Sequence, residues 1–472
     1  MALCAMMGTA TLTSCEGTLD DVFGEWSRPT KTEPTLSIEE TPLTFEALEA
    51  GTIQVYYSGS HTLPKPITYT KNGVSTSITA STDITVAAGD VISFSSENSS
   101  LGDATNYVFI QADHKCYVYG NLMSMINDEG DFSKDKTISG DYALIYLLYG
   151  NENMYNHPEK KLLLPATTLS EGCYWGLFYG CKTLTKAPEL PATKLTPNCY
   201  RQMFRDCAAL TTAPELPAKT LAKSCYYNMF RNCIGITTAP ALAATTLADA
   251  CYYMMFVGCT GITTTPELPA TTLAKHCYYD MFGNCTGLTT VPTLPVTTLT
   301  EGCYSYMFYQ CTSLTTAPEL PATTLTEDCY EGMFEGCTSL STAPKLPATT
   351  LAPYCYYGMF SCTNITTAPA LPATTLDAGC YSYMFSDCYS LTTAPELPAT
   401  TLADECYINM FENCSKLSSV SCKATSEINS TNLKDWLKEA GTDATSPTLH
   451  VTSGYDAEDW NKPSTWTLKA DL

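Results

Sequence analysis

From about residue 169 the chain repeats itself every 26 residues, and a period of that length points to a stack of coils rather than a globular core. Aligned on its first cysteine, the unit recurs at Cys173, Cys199, Cys225, Cys251, Cys277, Cys303, Cys329, Cys355, Cys380 and Cys406. Every step is 26 residues except the one from Cys355 to Cys380, which is one short, and CYYGMFSC places the gap between Phe360 and Cys362. The unit reads C-Y-x-x-M-F-x-x-C-T-x-L-T-T-A-P-E-L-P-A-T-T-L-x-x-x. Its apolar positions are too sparse for an independent core, so neighbouring coils have to bury them.

A disguised copy precedes the regular ones. In YALIYLLYGNENMYNHPEKKLLLP, placing Asn151 at the second-cysteine position puts Ala143 at the first and Leu148 at the Phe. Met154 then falls on the Leu and Pro158 on the Pro, as expected of an atypical coil that shields the end of a stack. Beyond Cys414 the pattern dissolves; Asn432 to Ala440 carries an amphipathic helix signal with Gly441 as its stop, consistent with a second cap. Upstream, GTIQVYYSG, PITYTKNGVSTSI, DITVAAGDVISF and NYVFIQA alternate as short strands, and Asn72-Gly73 is the signal of a tight hairpin. The fold class expected is therefore mixed, an all-β sandwich followed by a solenoid. Its divisions are a leader at 1–15, a linker at 16–40, the sandwich at 41–115, an N-terminal capping region at 116–168, the solenoid at 169–418 and a C-terminal cap at 419–472.

Charged residues make up 15% of the chain, yet its formal net charge is -23, so nucleic acids and acidic membrane surfaces would be repelled. Twenty-four cysteines suit a compartment where disulfides persist. The first residues, MALCAMMGTATLTSC, form an apolar run too short to span a bilayer. Leu12 to Cys15 resembles a bacterial lipobox, which implies acylation of Cys15, and the following EGTLDD resembles the surface-export signal of Bacteroidota lipoproteins. No Lys or Arg precedes Cys15, a departure from the usual signal peptide.

The repeat resembles the BspA-like leucine-rich repeats of bacterial surface proteins, whose aromatic, two variable residues, Cys and Leu appear here as MFYQCTSL and MFEGCTSL. The resemblance covers roughly residues 142 to 420. It implies a right-handed solenoid with a short strand at LTTAPEL, a short helical turn at CYxxMF, surface display, and adhesion or ligand binding rather than catalysis.

The repeated cysteines lack the close spacing of zinc ligands, and ten equivalent thiols argue against a single nucleophile. His61, His114, His157, His276 and His450 form no motif with Ser or Asp, so no catalytic residue, metal or cofactor is expected. Two readings of the cysteines stay open. Both can pack inward as small hydrophobes in ladders. Alternatively each coil closes a disulfide, Cys173–Cys181, Cys199–Cys207, Cys225–Cys233, Cys251–Cys259, Cys277–Cys285, Cys303–Cys311, Cys329–Cys337, Cys355–Cys362, Cys380–Cys388 and Cys406–Cys414. The strict pairing, and its joint absence from the capping coil, favour the bonds.

Two residues after each first cysteine the identity drifts, which suggests exposure, and Trp175, Arg201, Tyr227, Tyr253 and Tyr279 form an expected ligand-binding stripe. Tyr stacking on Tyr along a solvated edge is the plainer account of the same residues. The paired threonines of LTTAP and PATTL should form ladders. The function expected is that of an outer-membrane surface lipoprotein mediating adhesion to a host or neighbouring-cell protein or glycan. Carbohydrate capture through the stripe and a purely structural surface component are the alternatives.

Overall fold

A computed structural model describes residues 36–59, 61–128, 130–452 and 459–472. Its N-terminal part is two packed sheets built from β1 (Leu43–Ala47), β2 (Gly51–Tyr57), β3 (Ile67–Lys71), β4 (Val74–Ile78), β5 (Thr82–Val86), β6 (Val91–Ser96), β7 (Val108–Ala112) and β8 (Cys116–Asn121). One sheet runs β8-β1-β6-β3-β4 and the other β5-β2-β7. Alternation sets the faces: Ile53, Val55 and Tyr57 of β2 are buried, as are Ile92 and Phe94 of β6. Phe94 meets Phe45 edge to face at 5.6 Å in the core between the sheets. Asn72 and Gly73 take φ of 48° and 82°, the left-handed pair that the β3–β4 hairpin requires.

The sandwich extends past residue 115. β8 pairs antiparallel with β1 on one side. On the other it pairs parallel with β9 (Met154–Asn156) and β10 (Leu162–Leu163). β8 is thus both the last strand of the sandwich and the first rung of the solenoid, which is why a boundary drawn from composition falls too early.

The coils stack in register, with coil 1 at Cys173 and coil 10 at Cys406. In every coil the invariant Tyr and Phe are buried and lie on their counterparts in the next. Tyr centroids are 5.7–6.2 Å apart from Tyr174 to Tyr407. Phe centroids are 5.4–6.0 Å apart from Phe178 to Phe411. Each fully buried Phe or Met contributes roughly 1.5–3 kcal/mol of hydrophobic stabilisation, available only once the next coil covers it. The paired threonines do form ladders: Thr211, Thr271, Thr289 and Thr392 donate to carbonyls of Thr185, Thr245, Thr263 and Thr366 in the preceding coils.

The expected helical turn at CYxxMF is absent. In coil 6, alternate amides leave the coil: Tyr304, Tyr306, Phe308 and Gln310 donate to the carbonyls of Cys329, Glu331, Met333 and Glu335 at 2.7–3.1 Å. The intervening Met307, Tyr309 and Cys311 donate three residues back, to Tyr304, Tyr306 and Phe308. Every fourth residue is left-handed, with φ of 56° at Gly302, 55° at Tyr306 and 53° at Gln310, and no α-helix survives that. The segment is a run of reverse turns sewn to its neighbours by backbone hydrogen bonds. Among the described residues the one helix is a 3-10 turn at Leu122–Ile126. The LTTAPEL stretches are extended but reach strand pairing only at β11 (Glu396–Leu397), with isolated bridges in some of the others, such as Thr264 with Thr290.

Both caps continue this pattern. Leu144, Tyr146 and Leu148 donate to Cys173, Trp175 and Leu177, which sets Ala143 at the first-cysteine position. At the other end, Asn432 to Ala440 is no helix: Asp435 and Glu439 are left-handed, and Tyr407 and Phe411 donate to the carbonyls of Asn432 and Trp436. β12 (Ser419–Cys422), β13 (Thr448–Val451) and β14 (Thr467–Ala470) follow β11 in one parallel sheet. Trp436 and Trp466, both buried, close the end by donating to the carbonyls of Trp460 and Ala440.

Candidate binding edge of the solenoid

All 22 described cysteines are unbonded thiols. The expected pairing within a coil is not formed, because the two cysteines of a coil belong to separate columns. In the second column each Sγ–H donates to a carbonyl of the coil before, as Cys207 to Phe178, Cys233 to Phe204, Cys285 to Phe256 and Cys311 to Phe282, at 2.9–3.1 Å. Cys181 makes the same bond to Leu148, so Leu148 does hold the Phe position of the capping coil. There Asn151 replaces the cysteine and reaches into the sandwich, donating to Ile110 O of β7 at 2.6 Å and accepting from Ala112 N at 2.9 Å. Burial pushes these thiols up, Cys303 to about 11 and Cys199 to about 12, so they are poor nucleophiles.

Coil 8 corrects the alignment. Cys362 does not hold the second-cysteine position; it is exposed, at φ 57°, in the left-handed turn position that Gly336 and Gln310 fill in coils 7 and 6. Thr363 takes the ladder, donating to Phe360 O at 2.7 Å and meeting Cys388 Sγ at 3.4 Å. The missing residue therefore lies between Thr363 and Ile365, and Cys355 and Cys362 are not equivalent to the other pairs.

The expected stripe is brought together as one column. The Arg201 guanidinium lies 4.6 Å over Trp175 and 4.0 Å over Tyr227. Tyr227, Tyr253 and Tyr279 then stack at 4.7 and 4.6 Å, within 3° of parallel. The ring faces are spent on one another and only edges meet solvent. All five are half-buried, and at the same position Ser305 and Ser382 are fully buried, so drift here does not mean exposure.

The left-handed columns show a feature that residue types alone did not reveal. Bulky residues there lie over a glycine of the next coil: Tyr142 over Gly172, Tyr146 over Gly176, His276 over Gly302, Tyr306 over Gly332 and Tyr354 over Gly379. An added Cβ would come 2.1–2.5 Å from each ring. The recurrence of Gly, Asn and Asp at a spacing of four, as in Gly172-Gly176-Gly180, is the signal that could have located the turns.

Charge is divided along the same edge. Three of the chain's four arginines, Arg201, Arg205 and Arg231, stand in coils 2 and 3. Coils 5 to 7 carry Asp280, Glu331 and Glu335. Asp280 is 9% exposed, its Oδ1 has no hydrogen-bond partner, and burial raises it to about 7 against the pull of Arg231. Glu331 is also raised to about 7 by burial, although Tyr306 donates to it at 2.9 Å. Among the described residues no three His, Cys, Asp or Glu side chains gather as metal ligands, and no helix is long and apolar enough to cross a membrane. Cys15 lies outside the described residues.

No curated protein matches the chain. No solved structure matches it either. Residues 255–380 and 349–436 match the BspA type leucine rich repeat region, in six copies. The ladders run unbroken back to coil 1, so coils upstream of the matched residues are built from the same unit. Within the C-terminal half of the chain, residues 255–436 thus carry BspA-type leucine-rich repeats.

Proposed function

We propose that this is a surface lipoprotein, anchored through Cys15, that binds a ligand on a host or neighbouring cell along the turn edge of its solenoid. The observation that carries the reading is the division of labour within each coil. Inward positions are locked into ladders in which Tyr and Phe never change, whereas the residues that differ most from coil to coil, Arg201, Arg205, Tyr306 and Glu331 among them, crowd the turn edge. A rigid scaffold with one variable edge is the arrangement expected of a binding protein, since the scaffold carries no ordering cost on association. The buried, weakly acidic thiols supply no nucleophile, and the reading assigns no catalysis.

Glycan capture by the Trp175 to Tyr279 column is the weaker alternative, because a sugar stacks on ring faces and these faces are already occupied. The test is capture of host mucus, matrix and cell-wall fractions by the full chain. Wild-type protein should retain a fraction that a variant with its turn edge changed at Arg201, Arg205, Tyr306 and Glu331 does not. Equal retention by both would move binding to another face, and no retention by either would remove the reading.

A further inference from the structure

The structure assigns a second, more open group of aromatic rings to the junction of sandwich and solenoid. We propose that, with Arg205 and Arg201, it forms a site for a carboxylate-bearing oligosaccharide. The inference rests on the surface-binding reading above and names the ligand class.

Tyr149, Tyr179, Arg205 and Arg231 occupy one column, each six residues after the first-cysteine position of its coil. Unlike the parallel stack beside them, these groups meet at steep angles. Tyr149 lies 5.2 Å from Tyr179 at 72°, and Phe109 of β7 lies 6.4 Å from Tyr149 at 81°. Edge-to-face packing does not tie these rings into a continuous parallel stack, and Tyr149 is 37% exposed. The sandwich extends the patch, since Tyr56 packs 4.8 Å from Phe109 and is 39% exposed. At a rise of ~5 Å per coil, Tyr149 to Arg231 spans about 15 Å, the length of a short oligosaccharide.

The charge on this column is what selects an acidic sugar. In a chain of net charge -23, three of four arginines are gathered in two adjacent coils. Arg205 sits 5.0 Å over the Tyr179 ring, and Arg201 is clamped between Trp175 and Tyr227. A guanidinium stacked by its face presents its Nη groups along its edge, the fork that takes a carboxylate in two parallel hydrogen bonds, although Nη1 of Arg201 already donates to Asn198 Oδ1 at 3.4 Å. The Nε atoms of Arg201, Arg205 and Arg231 are buried, so a ligand would meet the Nη groups, and Asp206 lies 3.5 Å from Arg205 Nε. The patch consists of planar groups with polar edges, which suits sugar rings with apolar faces and hydroxyl rims.

Calorimetry on the full chain tests this, with tetragalacturonate as probe and with a neutral tetrasaccharide and a tetra-Glu peptide as controls. Tetragalacturonate should bind with an affinity that falls as salt rises, and the neutral sugar at least tenfold more weakly. Arg205→Gln and Tyr149→Ala should each weaken binding about tenfold, the loss of one charge-assisted or stacking contact. Arg201 is packed between rings, so the rim variants carry the test, and an unchanged urea midpoint checks that they remain folded. Absence of tetragalacturonate binding, equal binding by Arg205→Gln, or tighter binding of the peptide would overturn the proposal. If Arg205→Gln keeps full capture of the host fractions while tetragalacturonate fails to bind, the surface-binding reading stands and the acidic-sugar site falls.

Discussion

Gly332 lies beneath the Tyr306 ring and has φ of 53°, so Gly332→Ala should be costly for two separable reasons. The first is local: a Cβ on left-handed backbone costs about 1 kcal/mol. The second is the neighbour. The new Cβ would come 2.3 Å from Tyr306 Cε1, more than 1 Å inside ordinary contact, and Tyr306 is not free to swing away. Its hydroxyl donates to Glu331 at 2.9 Å, and its ring is flanked by Tyr279 at 5.7 Å and Tyr309 at 5.8 Å. Forcing a ring aside in such a setting costs about 2 kcal/mol, the middle of the range for overpacking. The total expected is about 3 kcal/mol.

A double-mutant cycle separates the two parts. Tyr306→Ala removes the ring, so Gly332→Ala made in that background should cost only the backbone share, about 1 kcal/mol, giving a coupling of about 2 kcal/mol. Urea unfolding followed by tyrosine fluorescence gives the four stabilities, with m-values checked for constancy because stacked repeats can unfold in segments. A coupling below about 0.5 kcal/mol, or a Gly332→Ala variant as stable as the parent, would refute the ring-on-glycine account of the edge.

Three other outcomes follow from the same geometry. Thiol titration of protein unfolded without reductant should count the 22 described cysteines as free, and native protein should expose the Cys362 thiol, a signal that Cys362→Ser removes; a count near zero would restore the intracoil disulfides. Asp280→Asn should stabilise the protein at pH 8, because burial raises Asp280 from 3.8 to about 7, against the pull of Arg231 and beside the rings of Tyr279 and Tyr309. With the folded value above the unfolded one, stability is lost as pH rises from about 4 to about 7, by up to about 4 kcal/mol, so the advantage of the Asn variant should vanish near pH 4. Asn151→Ala should cost about 3 kcal/mol, since it strands the carbonyls of Ile110 and Leu148 and the amide of Ala112; faster hydrogen exchange at Ala112 would report it, and unchanged exchange would contradict it.

Much of this fold was legible in the sequence because its signals are local or periodic. The β3–β4 hairpin follows from Asn72-Gly73, and the capping coil from aligning Asn151 with a column of cysteines. That alignment works because the Asn151 amide and the Cys181 thiol of the next coil both donate to Leu148 O. What stayed hidden depends on neighbours in space. CYSYMFYQC has the composition of a short helix, yet half its amides pair with the next coil, and no single-coil pattern records that. Cys362 carries the letter of the ladder, whereas Thr363 holds the position, its hydroxyl donating to Phe360 O of its own coil and meeting Cys388 Sγ of the next. Arg201 and Tyr227 read as a stripe from their spacing, but that their faces would be closed on each other depends on a rise matched to ring stacking.

The ladders also explain where recognition can reside at all. A Tyr or Phe inside the stack is held by identical rings above and below, so changing one coil disturbs two interfaces, and variation there is penalised twice. The turn edge escapes this where its columns pair unlike residues, as well as stacking like ones from Tyr227 to Tyr279: a bulky side chain at Tyr306 is accommodated by Gly332, and a guanidinium at Arg201 by the rings of Trp175 and Tyr227. Each such pair breaks the repeat at a cost confined to two coils. Departures from symmetry can therefore accumulate on that edge without unravelling the solenoid, as the aromatic and arginine groups near the sandwich and the Tyr306–Gly332 pair in coils 6 and 7 both show.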